Sequence, residues 1–255
     1  MKPSCLEGLG IGRGLPKICI PITAKDIAGF SVRLLQGEAL PGDLYEWRLD
    51  HYAGDVELGL QVFGKTTKRP LLCTIRTRGQ GGEAELSPDE YARRITELIA
   101  LGEHFSLIDI ELCAGDGLVR ELAEAAHQKG LAVVVSQHSF TDTPSKQEMT
   151  DALCHMKELG ADLPKLAVMP GSPPDVFSLM AASWEASALL GPVITMSMGP
   201  LGQLSRVAGN YTGSCVTFGA GTEASAPGQL RAGDLKQILK ILGHGLVEEC
   251  EYYGE

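Results

Sequence analysis

Eight short apolar runs alternate with eight longer amphipathic ones along the 255 residues of this chain, a pattern that predicts an α/β fold with a parallel sheet. The count and length point to a (β/α)8 TIM barrel, whose usual size is about 250 residues. Neither a linker nor a low-complexity stretch divides the sequence, so residues 1–255 read as a single barrel domain. A doubly wound open sheet is the alternative that the same alternation allows.

The elements follow in order. Residues 1–16 carry Gly8, Gly10, Gly12 and Gly14 and read as a small hairpin covering the barrel bottom. Gly10-Ile-Gly12-Arg-Gly14 leads into a strand rather than from a strand into a helix, which is the wrong order for a dinucleotide loop. Strands are expected at 17–23, 43–49, 70–76, 106–112, 131–137, 163–169, 192–198 and 213–219. Helices are expected near 25–38, 55–66, 87–102, 116–129, 145–159, 174–190, 201–208 and 232–247. The third helix opens on Ser87-Pro-Asp-Glu90, with a capping serine, proline in the first turn and glutamate three residues on. Thr143-Pro-Ser-Lys-Gln-Glu148 introduces the fifth in the same style, and Gly102, Gly130 and Gly160 close helices.

Composition narrows the function. The formal charge is -10, from 22 basic and 32 acidic residues, with no long basic run. Nucleic acid and anionic membrane are poor partners for such a chain, and no stretch approaches the roughly 18 apolar residues of a membrane span. The seven cysteines are scattered and never spaced C-x-x-C, which fits neither a disulfide framework nor a zinc site. The N-terminus lacks the apolar region of a signal peptide. A reducing cytoplasm is the expected compartment.

Side-chain alternation along strands separates two faces. In the second strand Tyr45, Trp47 and Leu49 belong outward under the helices, so Glu46 and Arg48 face the interior. The same reading aims Thr74 and Arg76, Asp109 and Glu111, Ser136 and His138, Lys165, and then Met196 and Met198 inward. Isolated buried charges are explained by pairing. Five consecutive strands presenting them are not explained by stability, because desolvation is costly, and the carboxyl ends of barrel strands are where active sites sit. A basic pocket in an acidic protein implies a small anionic ligand. Lys165 opens an apolar strand. Burial disfavours the charged form of an amine, and a neutral amine attacks carbonyls to form a Schiff base. His138, ending the adjacent strand, is a candidate proton shuttle. Asp109 and Glu111 read as structural partners neutralising Arg48 or Lys165 from below. With no H-x-H or H-E-x-x-H spacing, no metal is expected.

These residues resemble the type I 3-dehydroquinate dehydratases. The resemblance rests on Glu46-Trp-Arg48-Leu-Asp50, Thr74-Ile-Arg76 with Gly81-Gly82-Glu83, Ser136-Gln-His138-Ser-Phe140 and Ala161-Asp-Leu-Pro-Lys165-Leu-Ala-Val-Met-Pro170. It continues through Val193-Ile-Thr-Met-Ser-Met198, Ser205-Arg206, Thr217-Phe-Gly219 and Ala224-Ser-Ala-Pro-Gly-Gln229, covering nearly the whole chain. It implies dehydration of 3-dehydroquinate to 3-dehydroshikimate in the shikimate pathway, on a barrel, without metal or external cofactor. Lys165 would form the imine with the C3 ketone and His138 would serve as general base and acid. Arg206, at the start of the short helix after the seventh strand, would grip the C1 carboxylate. Ser225 and Gln229 match a loop that closes over the substrate, Glu46, Arg48 and Arg76 match groups that bind the ring hydroxyls, and Met196, Met198 and Phe218 match apolar walls. The family often forms dimers, so a homodimer is expected.

Two positions depart from the family pattern. Many members carry glutamate where this chain has Gln80, near the histidine, so His138 is expected to lose a charge partner that favours its protonated form. Some members carry serine where this chain has Pro21. Two other functions fit the same residues: a different Schiff-base barrel lyase or aldolase acting on a phosphorylated substrate, and a non-catalytic relative that binds quinate-like ligands.

Overall fold

The computed structural model describes residues 5–221 and 226–243. Eight parallel strands form the sheet: β1 (Lys17–Thr23), β2 (Leu44–Arg48), β3 (Leu71–Thr74), β4 (Leu107–Glu111), β5 (Ala132–His138), β6 (Leu163–Val168), β7 (Ile194–Ser197) and β8 (Val216–Phe218). Their order is β7-β6-β5-β4-β3-β2-β1-β8. The remaining seam, between β7 and β8, is held by a bridge from Val193 to Ser214 and by the Ser214 hydroxyl, which accepts from Thr195 N at 3.0 Å and donates to Thr195 O at 3.1 Å. The result is the nearly closed barrel the alternation predicts.

Helices α2 (Ile27–Glu38), α3 (Val56–Thr66), α4 (Pro88–Ala100), α5 (Asp116–Gln128), α6 (Lys146–Glu158), α7 (Pro173–Leu190) and α10 (Ala232–Gly243) surround it, with α1 (Cys5–Leu9) before β1 and two short pieces, α8 (Gln203–Val207) and α9 (Gly209–Thr212), after β7. Ser87 and Glu90 close a reciprocal capping box on α4, and Ser145 and Glu148 close another on α6, satisfying amides that a helix start leaves orphaned. Gly130 and Gly160 follow α5 and α6 with φ of 80° and 105° and close them as expected, whereas Gly102 has no positive φ and opens a 3-10 turn after α4. The helix expected at 201–208 is the shorter α8, and an unexpected second piece, α9, follows it from Gly209, where a Cβ would lie 2.4 Å from Ser214 O.

The N-terminal segment covers the bottom as expected but is not a hairpin. Leu6 of α1 and Ile11 of the following loop pack into the inner apolar cluster with Cys19, Leu44, Leu72, Leu107, Val134, Leu163 and Ile194. Gly10, Gly12 and Gly14 take positive φ of 63°, 83° and 65°, an alternation that winds the chain and leaves no extended pair.

The two faces of β2 illustrate how packing aims the interior side chains. Trp47 is fully buried against Phe30 and Tyr52, at ring centroid distances of 4.2 and 5.0 Å. Gly59 of α3 makes room, since a Cβ there would come within 2.2 Å of the indole. With Tyr45 and Trp47 locked outward, the strand's period of two leaves Glu46 and Arg48 no choice but inward.

Candidate active site

Above the apolar plug the barrel interior turns polar. Glu46, Thr74, Arg76, Asp109, Glu111, Ser136, Lys165 and Arg206 are all buried. A chamber of about 600 Å³ opens at the carboxyl ends of the strands, lined by Glu46, Arg48, Arg76, Gln80, Gly81, His138, Phe140, Lys165, Ala167, Met196, Met198, Arg206, Phe218, Ala226, Pro227 and Gln229. Every candidate site residue picked from the sequence lines it except Ser225, which lies outside the described residues.

Lys165 reaches this chamber from the middle of β6, next to Ser136 in register. Its Nζ stands 3.2 Å from Asp109 Oδ2 and 3.6 Å from Glu46 Oε1, and 4.6 Å from the centroid of the Phe218 ring. The amine is therefore held by two carboxylates and a ring rather than by apolar walls alone.

Asp109 joins Lys165 to Arg76. Arg76 Nη2 donates to Asp109 Oδ2 at 2.7 Å, and Nη1 donates to Glu111 Oε1 at 3.0 Å and Ser136 Oγ at 2.8 Å. Ser136 donates in turn to Asp109 Oδ1 at 2.6 Å. Burial works against the Arg76 charge, but Asp109, Glu111 and Glu46 outweigh it and push its pKa up. Burial likewise works against the Asp109 charge, and Arg76, Lys165 and the Ser136 hydroxyl overcome it, holding the carboxyl well below its ordinary range. The acidic pair is thus divided: Asp109 serves Lys165 and Arg76, and Glu111 serves Arg76. Neither pairs with Arg48. Its partner is Asp50, two residues on, which accepts from Nε at 2.9 Å and Nη2 at 2.8 Å. Asp50 also takes the backbone amides of Arg76 and Glu83, so one carboxylate fixes both the guanidinium and the loop after β3. An Arg76→Met variant is expected to lose about 3–5 kcal/mol of stability, because two buried carboxylates lose their main cation; chemical denaturation measures it.

His138 ends β5. Its Nδ1 is buried with no hydrogen-bond partner among the described residues. Its backbone N–H donates to Gln80 Oε1 at 2.7 Å, so Gln80 meets the main chain at this position. Burial first, then the charges of Arg76, Lys165 and Arg48, drive the imidazole pKa well below its usual value, against a smaller opposing effect of Asp109. The depressed value fixes the sign of the pH dependence. The ring stays neutral through pH 7, and stability is lost as pH falls from about 6.5, where the unfolded ring takes a proton, until the folded ring takes one too at its lowered pKa. Activity that needs the neutral ring follows the folded state alone, so it is expected to persist below about pH 6.5 and to fall only as pH passes that lowered pKa. Gln80→Glu places a carboxylate at the histidine and is expected to move the acid limb of kcat/KM to higher pH; an unmoved limb would count against this electrostatic role.

Arg206 sits near the end of α8 rather than at its start, because the turn Gly199–Gly202 delays the helix. The residue is 2 % exposed, and its guanidinium donates to Pro227 O at 3.0 Å and approaches Met196 Sδ at 3.7 Å. Nε has no partner, and no carboxylate among the described residues lies within ion-pair distance. Burial without a counter-charge pushes its pKa down to about 10. The site thus contrasts a cation saturated by carboxylates, Arg76, with one left open toward the chamber.

The sequence does not single out Asp50, Phe140 or Pro227 as functional, whereas the Lys165–Asp109 contact is one of the two pairings it offers. Asp50 stands within a quoted motif, and its i, i+2 relation to Arg48 is the signal that could have found it. Pro227 contributes a carbonyl, for which no sequence signal exists.

A family model described as Type I 3-dehydroquinase matches residues 18–245. The chain is 41% identical over 239 residues to 3-dehydroquinate dehydratase of Syntrophotalea carbinolica, covering 91% of this chain and 94% of that protein. It is 40% identical over 248 residues to that of Clostridium botulinum, covering 93% and 96%. A crystal structure of the type I enzyme from Clostridium difficile, with covalently modified comenic acid, superposes with a TM-score of 0.86 at 38% identity, covering 92% of this chain and 95% of that one.

Proposed function

The chain belongs to the type I 3-dehydroquinase family, and from that premise we propose that it dehydrates 3-dehydroquinate to 3-dehydroshikimate, a step of the shikimate pathway, through an imine on Lys165. The observation that carries the reading is the meeting of three groups on one chamber: a buried lysine, a histidine with a buried nitrogen, and a buried guanidinium, the last two without a hydrogen-bonding or ionic partner for that nitrogen and that charge among the described residues.

Each group has one task. The neutral Lys165 amine attacks the C3 ketone, and loss of water leaves a cationic imine that withdraws electrons from C2. His138, neutral at working pH, takes the C2 proton and later delivers a proton to the departing C1 hydroxyl as water. Acid–base help of this kind is worth about 10²–10⁴ in rate. Arg206 receives the C1 carboxylate, and a bidentate pair would satisfy its idle donors. Glu46, with the Arg48–Asp50 pair and Arg76, faces the ring hydroxyls, while Met196, Met198 and Phe218 wall the ring. Gln229 lines the chamber after β8, and the family resemblance assigns it, with Ser225, to closing over the substrate. The substrate is small and anionic, and the chemistry calls on no metal or external cofactor.

A homodimer is part of the same proposal. Phe177 and Trp184, 58 % and 62 % exposed on α7, supply an apolar face for it, and sedimentation would read a particle of twice 27.1 kDa. No helix among the described residues is long and apolar enough to cross a membrane, and a cytoplasmic setting accords with the free thiols of Cys19, Cys73, Cys113, Cys154 and Cys215.

The test is turnover. Incubation with 3-dehydroquinate is expected to generate the ultraviolet absorption of a conjugated enone carboxylate, with His138→Ala slower by about 10²–10⁴. Turnover of a phosphosugar instead, or ligand binding without turnover, would contradict the proposal.

A further inference from the structure

We propose that Phe218 is a further catalytic residue, its ring face holding the positive charge on the Lys165 nitrogen as the ammonium becomes an iminium. The inference rests on the imine reading above and goes beyond the role of an apolar wall.

Three partners surround Lys165 Nζ: Asp109 Oδ2 at 3.2 Å, Glu46 Oε1 at 3.6 Å and the Phe218 ring, its centroid at 4.6 Å. Phe218 is buried at the end of β8, opposite Cys19 in the β1 register, and the next residue, Gly219, donates to Cys19 O at 2.9 Å. The ring is thus carried on paired backbone.

What separates the ring from the carboxylates is what happens to the N–H groups. An ammonium has three, enough for both carboxylates with one to spare. The ammonium first passes one proton to His138, which lines the same chamber; the amine then adds to C3, a second N–H proton moves to the ketone oxygen, and a carbinolamine results. Return of the His138 proton to that oxygen breaks the C3–O bond, water leaves, and the nitrogen becomes planar with a single N–H. At most one directional bond to the carboxylates survives. Asp109 tolerates this because Arg76 and Ser136 still bond it, and Glu46 because Thr74 donates to it at 3.0 Å. The ring requires no N–H. The negative face of an aromatic quadrupole attracts a cation whatever its hydrogen count, most strongly where water is excluded.

The ring therefore discriminates among the intermediates. The carbinolamine is neutral, and so is the enamine left after C2 loses its proton; neither gains from the ring face. The substrate iminium and the conjugated product iminium are cations, and both do. Phe218 thus favours the states in which electrons are drawn from C2 and from which the product is released.

The experiment replaces Phe218 with 4-fluoro-, 3,5-difluoro- and 3,4,5-trifluorophenylalanine, which withdraw the quadrupole stepwise at nearly constant shape. Each protein is equilibrated with increasing 3-dehydroshikimate and quenched with borohydride, and the reduced adduct is weighed. Binding of quinate, which has an alcohol in place of the ketone and forms no imine, reports on an intact site. The expected result is an adduct equilibrium that weakens with each fluorine, by about tenfold in all for the trifluoro protein, with quinate affinity unchanged within about twofold. Phe218→Tyr should keep the adduct and Phe218→Leu should lose it to the same degree as the trifluoro protein. A flat series, or a leucine variant that forms the adduct as well as the parent, would overturn the proposal while leaving the imine reading intact. An absence of adduct on the parent protein would overturn both.

Discussion

Lys165→Met is expected to lower kcat by about 10⁴-fold or more, the largest effect of any single substitution in this protein. Methionine fills most of the space but supplies no nucleophile, so no imine forms and the C2 proton keeps the acidity of an ordinary ketone. The fold should survive. Asp109 remains bonded to Arg76 and Ser136, and Glu46 to Thr74, so the buried carboxylates are not left bare, and the stability loss should stay at or below about 3 kcal/mol. Quinate should still bind, because Arg206 and the hydroxyl-facing groups are untouched. Product formation under single-turnover conditions, alongside a thermal melt and quinate titration, checks all three parts. A variant that still turns over within about tenfold of the parent would mean that the lysine acts only as a charge.

Arg206→Met is expected to do the reverse for the two properties. The guanidinium is buried with no carboxylate partner among the described residues, and burial depresses its pKa to about 10. In the free protein its contacts with Pro227 O and Met196 Sδ offset little of the cost of burying the charge, so its removal should leave the melting temperature nearly equal or higher. With substrate the same charge meets a carboxylate, a charge-assisted interaction worth about 3 kcal/mol, so KM should rise about 10²-fold. The comparison with Arg76→Met is the diagnostic. Both are buried arginines at the same mouth, yet one removal should destabilise the fold and the other should not, because only Arg76 has its carboxylates in place already. A fall in melting temperature for Arg206→Met as large as that for Arg76→Met would contradict an open carboxylate site.

Much of this architecture is written in periodicity. Strand alternation placed Trp47 outward and Glu46 and Arg48 inward because a period of two allows nothing else once one face is aromatic. It also brought Lys165 and His138 to neighbouring strands. What alternation does not encode is how far a long side chain reaches. It gave Arg76, Asp109, Glu111 and Lys165 a common interior and offered the acidic pair to Arg48 or Lys165; Asp109 does meet Lys165, but the role of Arg76 was not encoded, and the partner of Arg48 is Asp50, in a turn that no strand pattern covers. The burial of Lys165 was legible, and so was an acidic neighbour for it in Asp109; that Glu46 stands there too was not. Arg206 is legible by motif resemblance; that no carboxylate among the described residues pairs with it is a property of three dimensions. The N-terminal glycines signalled a tight path, and positive φ at alternate residues turned the expected hairpin into a short helix and loop.

The most direct test of the account is chemical capture of the imine. The protein is incubated with 3-dehydroquinate, reduced with borohydride, digested, and its peptides weighed. A single covalent adduct on the peptide containing Lys165, absent from Lys165→Met, is the predicted result. A protein that dehydrates the substrate without any such adduct, or that carries it on another lysine, would contradict the assignment of Lys165 as the nucleophile.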